Sequence, residues 1–449
     1  MSSAVARVPT GPRGGLVLGS LRAFRDDPLR FLVETARDHR PAARFQLGRI
    51  DARLFSQPSG IKRILQDNNE NYGRQTRSHA ALRATLGNGL ITSDGDFWRR
   101  QRRISQPAFH KQRIAGFGGA MTTAAEQLID RWRPLAARGE ALDIFPELLG
   151  LTLKILGRSL FSLELGGAAA AVGEGLDVVL HHTMETINSI LPVPEALPTP
   201  ANRRFKAAIR ALDAVVLDLI QKRRQSPGGN DLLSMLVESR DAESGEGMTD
   251  RQLRDEVMTL MLAGHETTSV TLSWAFTFLS RHPAVRRTLE EELAAVLGGR
   301  AAGLEDLPRL RYTRMVLEET MRLLPPAWVV TRSAVADDEV DGFFVPAGSL
   351  VIVSPYVTHR DPALWPNPEG FDPQRFESTE QPRYAYFPFG GGPHLCIGAG
   401  FAMMEAQIVL ATVAQHLRLD LLPGHPVEVE PLVTLRPRHG IRMTLHPRS

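Results

Sequence analysis

From Thr249 to His282 the sequence keeps a helical pattern without a proline, opened by the capping box Thr249-Asp250-Arg251-Gln252 and stopped by Pro283. A helix of that length is unusual in a globular protein, and it makes a mainly helical body the first expectation. Its middle holds Ala263-Gly264-His265-Glu266-Thr267-Thr268-Ser269, where a glycine and three hydroxyl residues weaken the backbone ladder. A buried helix has a structural reason to avoid such a cluster. The functional reason to keep it is a notch that admits a small molecule and water, with the Thr267 hydroxyl and the Glu266 carboxylate able to relay protons. His265-Glu266 does not continue into a zinc-protease motif, because Ser269 stands where the second histidine would be.

The remaining pattern is helical with a smaller β-rich part. Asp27-Pro28 opens a capped amphipathic helix, and Met121 to about Leu236 reads as mainly helical, interrupted at His181 to Ala201 by Pro192, Pro194, Pro198 and Pro200. Another helix runs from about Tyr312 to Leu324, where Pro325-Pro326 stops it, and a last one from Phe401 to Leu417. Strand signals fall at Ala43 to Leu47, Ala52 to Ser56 and Leu350 to Val353, with a hairpin turn at Val340-Asp341-Gly342-Phe343. The stretch from Tyr72 to Ser93, with Gly73, Gly87 and Gly89, reads as a long irregular loop. Ser226 to Asn230 reads as a surface turn.

Cys396 is the only cysteine in 449 residues, and it lies between the glycine run Gly390-Gly391-Gly392 and the last helix. A cysteine taken at random is more often an inert buried residue than a reactive one. This setting shifts the balance: a thiol ahead of a helix faces unpaired N–H groups and the positive end of its dipole, which favour the thiolate. The glycines let the backbone approach a flat object closely, Phe389 supplies an apolar wall, Gly398 leaves the sulfur uncrowded, and His394 offers a donor to a nearby anion.

The spacing Phe389-x-x-Gly392-x-His394-x-Cys396-x-Gly398 resembles the haem-thiolate signature of the cytochrome P450 family. Four further segments are similar to that family's, in family order: Trp98-x-x-x-Arg102, Ala263-Gly264-x-Glu266-Thr267-Thr268, Glu319-x-x-Arg322, and Phe371-Asp372-Pro373-Gln374-Arg375-Phe376. The resemblance implies one mainly α-helical domain over 1–449 with a β-rich part at roughly 40–60 and 330–356, closed around haem b. It implies Cys396 as the iron ligand and Trp98, Arg102, Arg332 and His394 as partners of the haem's acidic edge. Glu319, Arg322 and Arg375 become a structural trio that locks the cysteine loop. Ala263, Ala327, Trp328, Val329, Val330 and Val433 line the substrate pocket, and Glu266 with Thr267 delivers protons. The activity implied is a monooxygenase that inserts one atom of O2 into an apolar substrate of the fatty acid, terpenoid, steroid or polyketide class.

Composition sets outer limits. Hydrophobic residues at 43% and charged residues at 23% are ordinary for a globular enzyme, and a formal charge of +3 is too small to imply nucleic-acid binding. No apolar run is long enough to span a bilayer and Leu16-Val17-Leu18 is too short for a signal-peptide core, so a cytoplasmic protein is expected. No flavin or nicotinamide domain fits in the chain. The resemblance therefore implies a separate ferredoxin or flavodoxin with its NAD(P)H-dependent reductase, for which Arg99, Arg100 and Arg103 are candidate docking charges. Three other readings stay open on sequence alone: a cysteine hydrolase, a haem sensor or carrier without catalysis, and a peroxide-driven peroxygenase.

Overall fold

A computed structural model describes residues 7–162, 168–189, 193–226, 228–229, 231–378 and 381–448; Pro192, and Pro227 and Asn230 within the turn expected from Ser226 to Asn230, lie outside them. The chain forms two compact units. One consists of Met1–Ala81, Arg322–Gly370 and Ser378–Cys396, the other of Leu82–Met321, Phe371–Glu377 and Ile397–Ser449.

The first unit is built on a five-stranded sheet in the order Ala42–Leu47, Ile50–Phe55, Leu350–Val353, Val330–Ala334 and Tyr72–Gly73. The first two strands make an antiparallel hairpin, Phe45 opposite Ala52, while Ile50–Phe55 and Leu350–Val353 pair in parallel, Leu54 opposite Ile352. A parallel pair cannot be joined by a tight turn, and here the two strands come from positions about 300 apart in the chain. They close over Phe55, Ile61, Ile64, Val351, Val353 and Phe387, an apolar cluster that seats the cysteine segment's own residues in the core. At the hairpin Asp338–Val340/Phe343–Val345, Asp341 and Gly342 both take positive φ, 50° and 78°, as a tight two-residue turn requires.

One expectation fails here and in the neighbouring unit. Tyr72 to Ser93 is not an irregular loop: Tyr72–Gly73 is the sheet's last strand and Arg77–Leu86 is a helix. Thr76 supplies the missing start signal, its hydroxyl accepting the His79 N–H at 3.3 Å, and the Ala80-Ala81-Leu82 run supplies the propensity. The glycines bound this helix instead of dissolving it, Gly87 ending it at φ 58°.

The second unit is helical: the long helix Asp250–Arg281 packs against Ile144–Phe161, Pro200–Gln225 and Ala399–His416, and Gly95–Ser105, Gly118–Arg138 and Ala168–Asn188 belong to the same unit. The long helix begins as its capping box demands: the Thr249 hydroxyl accepts the Gln252 N–H at 3.2 Å and the Gln252 side chain accepts the Thr249 N–H at 2.8 Å. Its neighbour Ile144–Phe161 comes so close that a Cβ on Gly264 would stand 3.0 Å from Leu156. The glycine in the notch thus also leaves room for Leu156.

Two small sheets complete this unit at positions that the sequence pattern left in the helical remainder. Ala141–Asp143, Arg442–Pro447 and Leu417–Leu421 form one; Val429–Pro431 and Leu435–Pro437 form the other. Leu417-Arg418-Leu419-Asp420-Leu421 does alternate apolar and polar residues, but the run is short and follows an apolar helix directly, which hides the change of period.

Candidate functional site

In the first unit the cysteine loop is fixed by its backbone. Gly390 and Gly392 adopt φ 74° and 65°, the Gly390 N–H donates to the Phe387 carbonyl at 2.9 Å, and the Cys396 N–H donates to the Phe389 carbonyl at 3.0 Å. A Cβ on Gly392 would lie 1.8 Å from the Leu65 carbonyl oxygen, so no other residue fits there. The outcome is an exposed Cys396 on a segment with little freedom to move.

Basic side chains gather in the same unit. The Arg74 guanidinium donates to His394 Nδ1 at 2.7 Å; since a guanidinium can only donate, Nδ1 accepts and the ring proton belongs on Nε2. Gly73, the residue before Arg74, pairs with Ser333, the residue after Arg332. Arg332 is buried and donates to the Thr331 carbonyl at 2.9 Å. Arg332 and His394 stand out in the sequence, whereas Arg74 does not, because it lies in the stretch that reads as a loop. Its signal was a cation directly after a short strand.

Arg322 is fully buried and donates to three carbonyls, those of His359 at 2.8 Å, Pro368 at 2.6 Å and Gly370 at 2.8 Å. Of the pocket candidates in this unit, Trp328 is buried and its carbonyl accepts the Ser354 hydroxyl at 2.6 Å, Val329 and Val330 are half-buried, and Ala327 is exposed.

In the second unit, hydroxyls along the long helix bond back to carbonyls one turn earlier: Thr267 to Ala263 at 2.7 Å, Thr271 to Thr267 at 2.9 Å and Ser273 to Ser269 at 2.7 Å. With its proton directed at Ala263, the half-buried Thr267 oxygen keeps lone pairs to accept a hydrogen bond. Glu266 is turned elsewhere. It accepts from the Thr434 hydroxyl at 2.6 Å and from Arg436 Nε, and Arg436 extends its other end to Asp177 at 2.9 Å. Burial disfavours the Arg436 cation, but Glu266 and Asp177 outweigh it and hold the guanidinium above its usual pKa. Thr434 and its neighbour Val433 belong to the turn that joins Val429–Pro431 to Leu435–Pro437. Arg436 carried no local signal in the sequence, being 170 positions from its carboxylate. Beside the notch, His265 is buried and its pKa falls to about 4, chiefly through desolvation, so it stays neutral.

Trp98 and Arg102 share one face of Gly95–Ser105, with Trp98 buried. The other arginines of that helix are engaged within their own unit: Arg99 with Asp96, Arg100 with Glu246 at 3.3 Å, and Arg103 with Asp241 and Glu243, both at 2.9 Å. Their charge is largely answered locally, which weakens them as docking charges for an acidic partner. The carboxylate of Glu319 accepts the Asp372 N–H at 2.8 Å and Arg375 Nε at 3.2 Å, which ties Phe371–Glu377 to the helix Arg311–Leu323.

A sequence model of the cytochrome P450 family matches residues 9–443. Cyclooctatin synthase of Streptomyces melanosporofaciens is 38% identical over 97% of this chain and 95% of its own length. Cyclooctat-9-en-7-ol 5-monooxygenase of the same organism is 36% identical over 92% and 90%. Pentalenene oxygenase of Streptomyces avermitilis is 32% identical over 98% and 97%. No helix among the described residues is long and apolar enough to cross a membrane. With a match that runs nearly from end to end, the chain belongs to the cytochrome P450 family and is a haem-thiolate monooxygenase of an apolar small molecule.

Proposed function

We propose that Cys396 binds the iron of haem b as a thiolate and that the substrate is a terpenoid. The observation that carries the first half is the exposed single cysteine on a glycine-fixed loop, in the unit that also gathers Arg74, Arg332 and His394. A thiolate and several cations suit a metal porphyrin with two carboxylates. Trp98 and Arg102 would add an indole N–H and a guanidinium to the same acidic edge, with Phe389 and Gly398 against the ring. The second half rests on the relatives, whose names speak of a cyclooctat-9-en-7-ol and of pentalenene, and on the apolar character of Ala263, Ala327, Trp328, Val329, Val330 and Val433. Bound haem would supply activation of O2 and transfer of one oxygen atom.

The chain's own part is to position the substrate, exclude bulk water and deliver protons. Thr267 would accept a hydrogen bond through its free lone pairs while its own proton is parked on the Ala263 carbonyl. Glu266 enters only by turning away from Arg436, and Asp177 keeps that arginine's charge balanced when it does. Electrons would come from a ferredoxin or flavodoxin and its NAD(P)H-dependent reductase, in the cytoplasm.

One spectroscopic series tests both halves. The reduced parent protein should give the thiolate-type carbon monoxide band, and its oxidised form should show a haem band shift with cyclic terpenes at far lower concentration than with linear fatty acids. Cys396→Ala should lose the carbon monoxide band. Survival of that band would remove Cys396 as ligand, and a preference for the fatty acid would remove the substrate class. Separately, Thr267→Ala supplied with ferredoxin and its reductase should consume NAD(P)H with the yield of oxygenated product per reductant lowered by about tenfold or more. An unchanged ratio would show that this hydroxyl does not govern proton delivery.

A further inference from the structure

Between residues 1 and 25 the chain carries Arg7, Arg13, Arg22 and Arg25 and no acidic residue. Inside this stretch Gly15 and Gly19 exchange two backbone hydrogen bonds, each N–H to the other's carbonyl at 2.9 Å, closing a small ring whose apex is Leu16-Val17-Leu18. The ring is braced from behind. The Ser20 N–H donates to the Gln46 carbonyl at 2.7 Å and the Gly48 N–H to the Leu18 carbonyl at 3.1 Å, so the apex leans on the hairpin Ala42–Leu47/Ile50–Phe55. Gly19, at φ 55°, approaches so closely that a Cβ there would be 2.4 Å from the Gln46 carbonyl oxygen.

This rigid support presents apolar groups to water. Leu16, Val17 and Leu18 are 108, 83 and 40% exposed, and Ile50, the first strand residue after the turn of the hairpin that braces them, is 39% exposed. Single exposed apolar residues need no explanation, but three in succession at the apex of a closed ring do. The surrounding charge narrows the choice of partner. Arg13, Arg22, Arg25 and Arg49 are exposed; of the nearby acids, Asp26 lies 3.8 Å from Arg22, Asp51 is held by Arg44 at 2.9 Å and Arg53 at 2.6 Å, and Asp27 is turned to the Arg30 N–H at 3.0 Å as a helix cap. An apolar tip within a cationic collar matches a surface that is hydrocarbon beneath and anionic at its head groups.

We propose that the Leu16-Val17-Leu18 ring is a peripheral membrane contact that inserts into anionic bilayers, with Arg13, Arg22, Arg25 and Arg49 on the lipid phosphates. No part of this depends on the identity of the substrate. A molecule as apolar as the one assigned above would, however, be dissolved in that same phase.

The test is cosedimentation of the haem-loaded enzyme with vesicles, one set of phosphatidylcholine alone and one of phosphatidylcholine with phosphatidylglycerol. Binding should be stronger by about tenfold or more on the anionic vesicles and weaken as salt is raised. Leu16→Ser combined with Val17→Ser should lower anionic-vesicle binding about tenfold while keeping the parent's carbon monoxide spectrum and melting temperature, since both side chains are in water already. Failure of the parent to bind anionic vesicles, or equal binding by the double variant, would overturn the proposal. So would a parent that runs as a dimer in gel filtration where the variant runs as a monomer, which would assign the ring to a second copy of the chain.

Discussion

Glu319→Ala should destabilise the haem-loaded protein by about 3–5 kcal/mol and lower its melting temperature by several degrees or more. Glu319 is fully buried, and its carboxylate answers both the Asp372 amide and the Arg375 guanidinium, itself only 10% exposed. Removing the carboxylate takes an acceptor from the largely buried Arg375 guanidinium and from the part-buried Asp372 N–H, which costs more than the pair was worth when made. The segment Phe371–Glu377 would suffer first. The chain enters this segment from one unit and leaves it for the same unit, so only its side-chain and backbone contacts keep it with the second. A further tie is Phe371, stacked on Phe278 at 4.6 Å. Glu319→Gln, which keeps an acceptor oxygen and loses the charge, should fall between parent and alanine variant. Thermal melts of the three proteins check the order; an alanine variant that melts with the parent would show that the pair anchors nothing.

Glu405→Gln should do the opposite and stabilise the protein, by an amount that grows with pH. Glu405 lies in the middle of Ala399–His416, where every residue from Met404 to Ala414 is buried, and neither of its carboxyl oxygens meets a donor in hydrogen-bond geometry. Desolvation raises its pKa from 4.5 to about 8, with only the Thr268 hydroxyl pulling the other way. Below about pH 4.5 the folded and unfolded states are both protonated and the group is neutral in the balance. Between there and pH 8 the unfolded chain gives up the proton while the folded protein keeps it, so stability falls as pH rises; above pH 8 the loss is complete. At about 1.4 kcal/mol for each pH decade the full effect approaches about 5 kcal/mol. Glutamine has no proton to lose and removes that slope. Urea unfolding at pH 5, 6.5 and 8 should therefore show parent and variant diverging, and a difference that stays constant across the three would refute the assignment.

The parts of this protein that could be read from sequence are those in which cause and effect are close in the chain. The capping box at Thr249, the stop at Pro283 and the glycine-cysteine loop each act within a few residues, and each is found at its place. Arg77–Leu86 is not legible because Gly73 and Gly87 look the same whether they interrupt a segment or bound it; only the Thr76 side chain separates the two. The partners of Glu266 could not have been read at all, since Arg436 and Asp177 are brought to it by the fold. Arg74 is a similar case, 320 positions from His394. Glu405 is the exception. One carboxylate inside Ala402-Met403-Met404-Glu405-Ala406-Gln407-Ile408-Val409-Leu410 is visible to the eye as an acid with no water to reach, and a pattern search for paired charges passes over it.

Arg322 has a consequence for how such chains can drift. It grips His359, Pro368 and Gly370 through oxygens that every amino acid possesses. Whatever residue replaces Pro368 offers the same oxygen, so this contact exerts no pull on that position's chemistry, while lysine in place of Arg322 would have one nitrogen where the guanidinium spreads two over three acceptors. Paired substitutions, the usual trace of two residues in touch, are therefore not to be expected between 322 and 368.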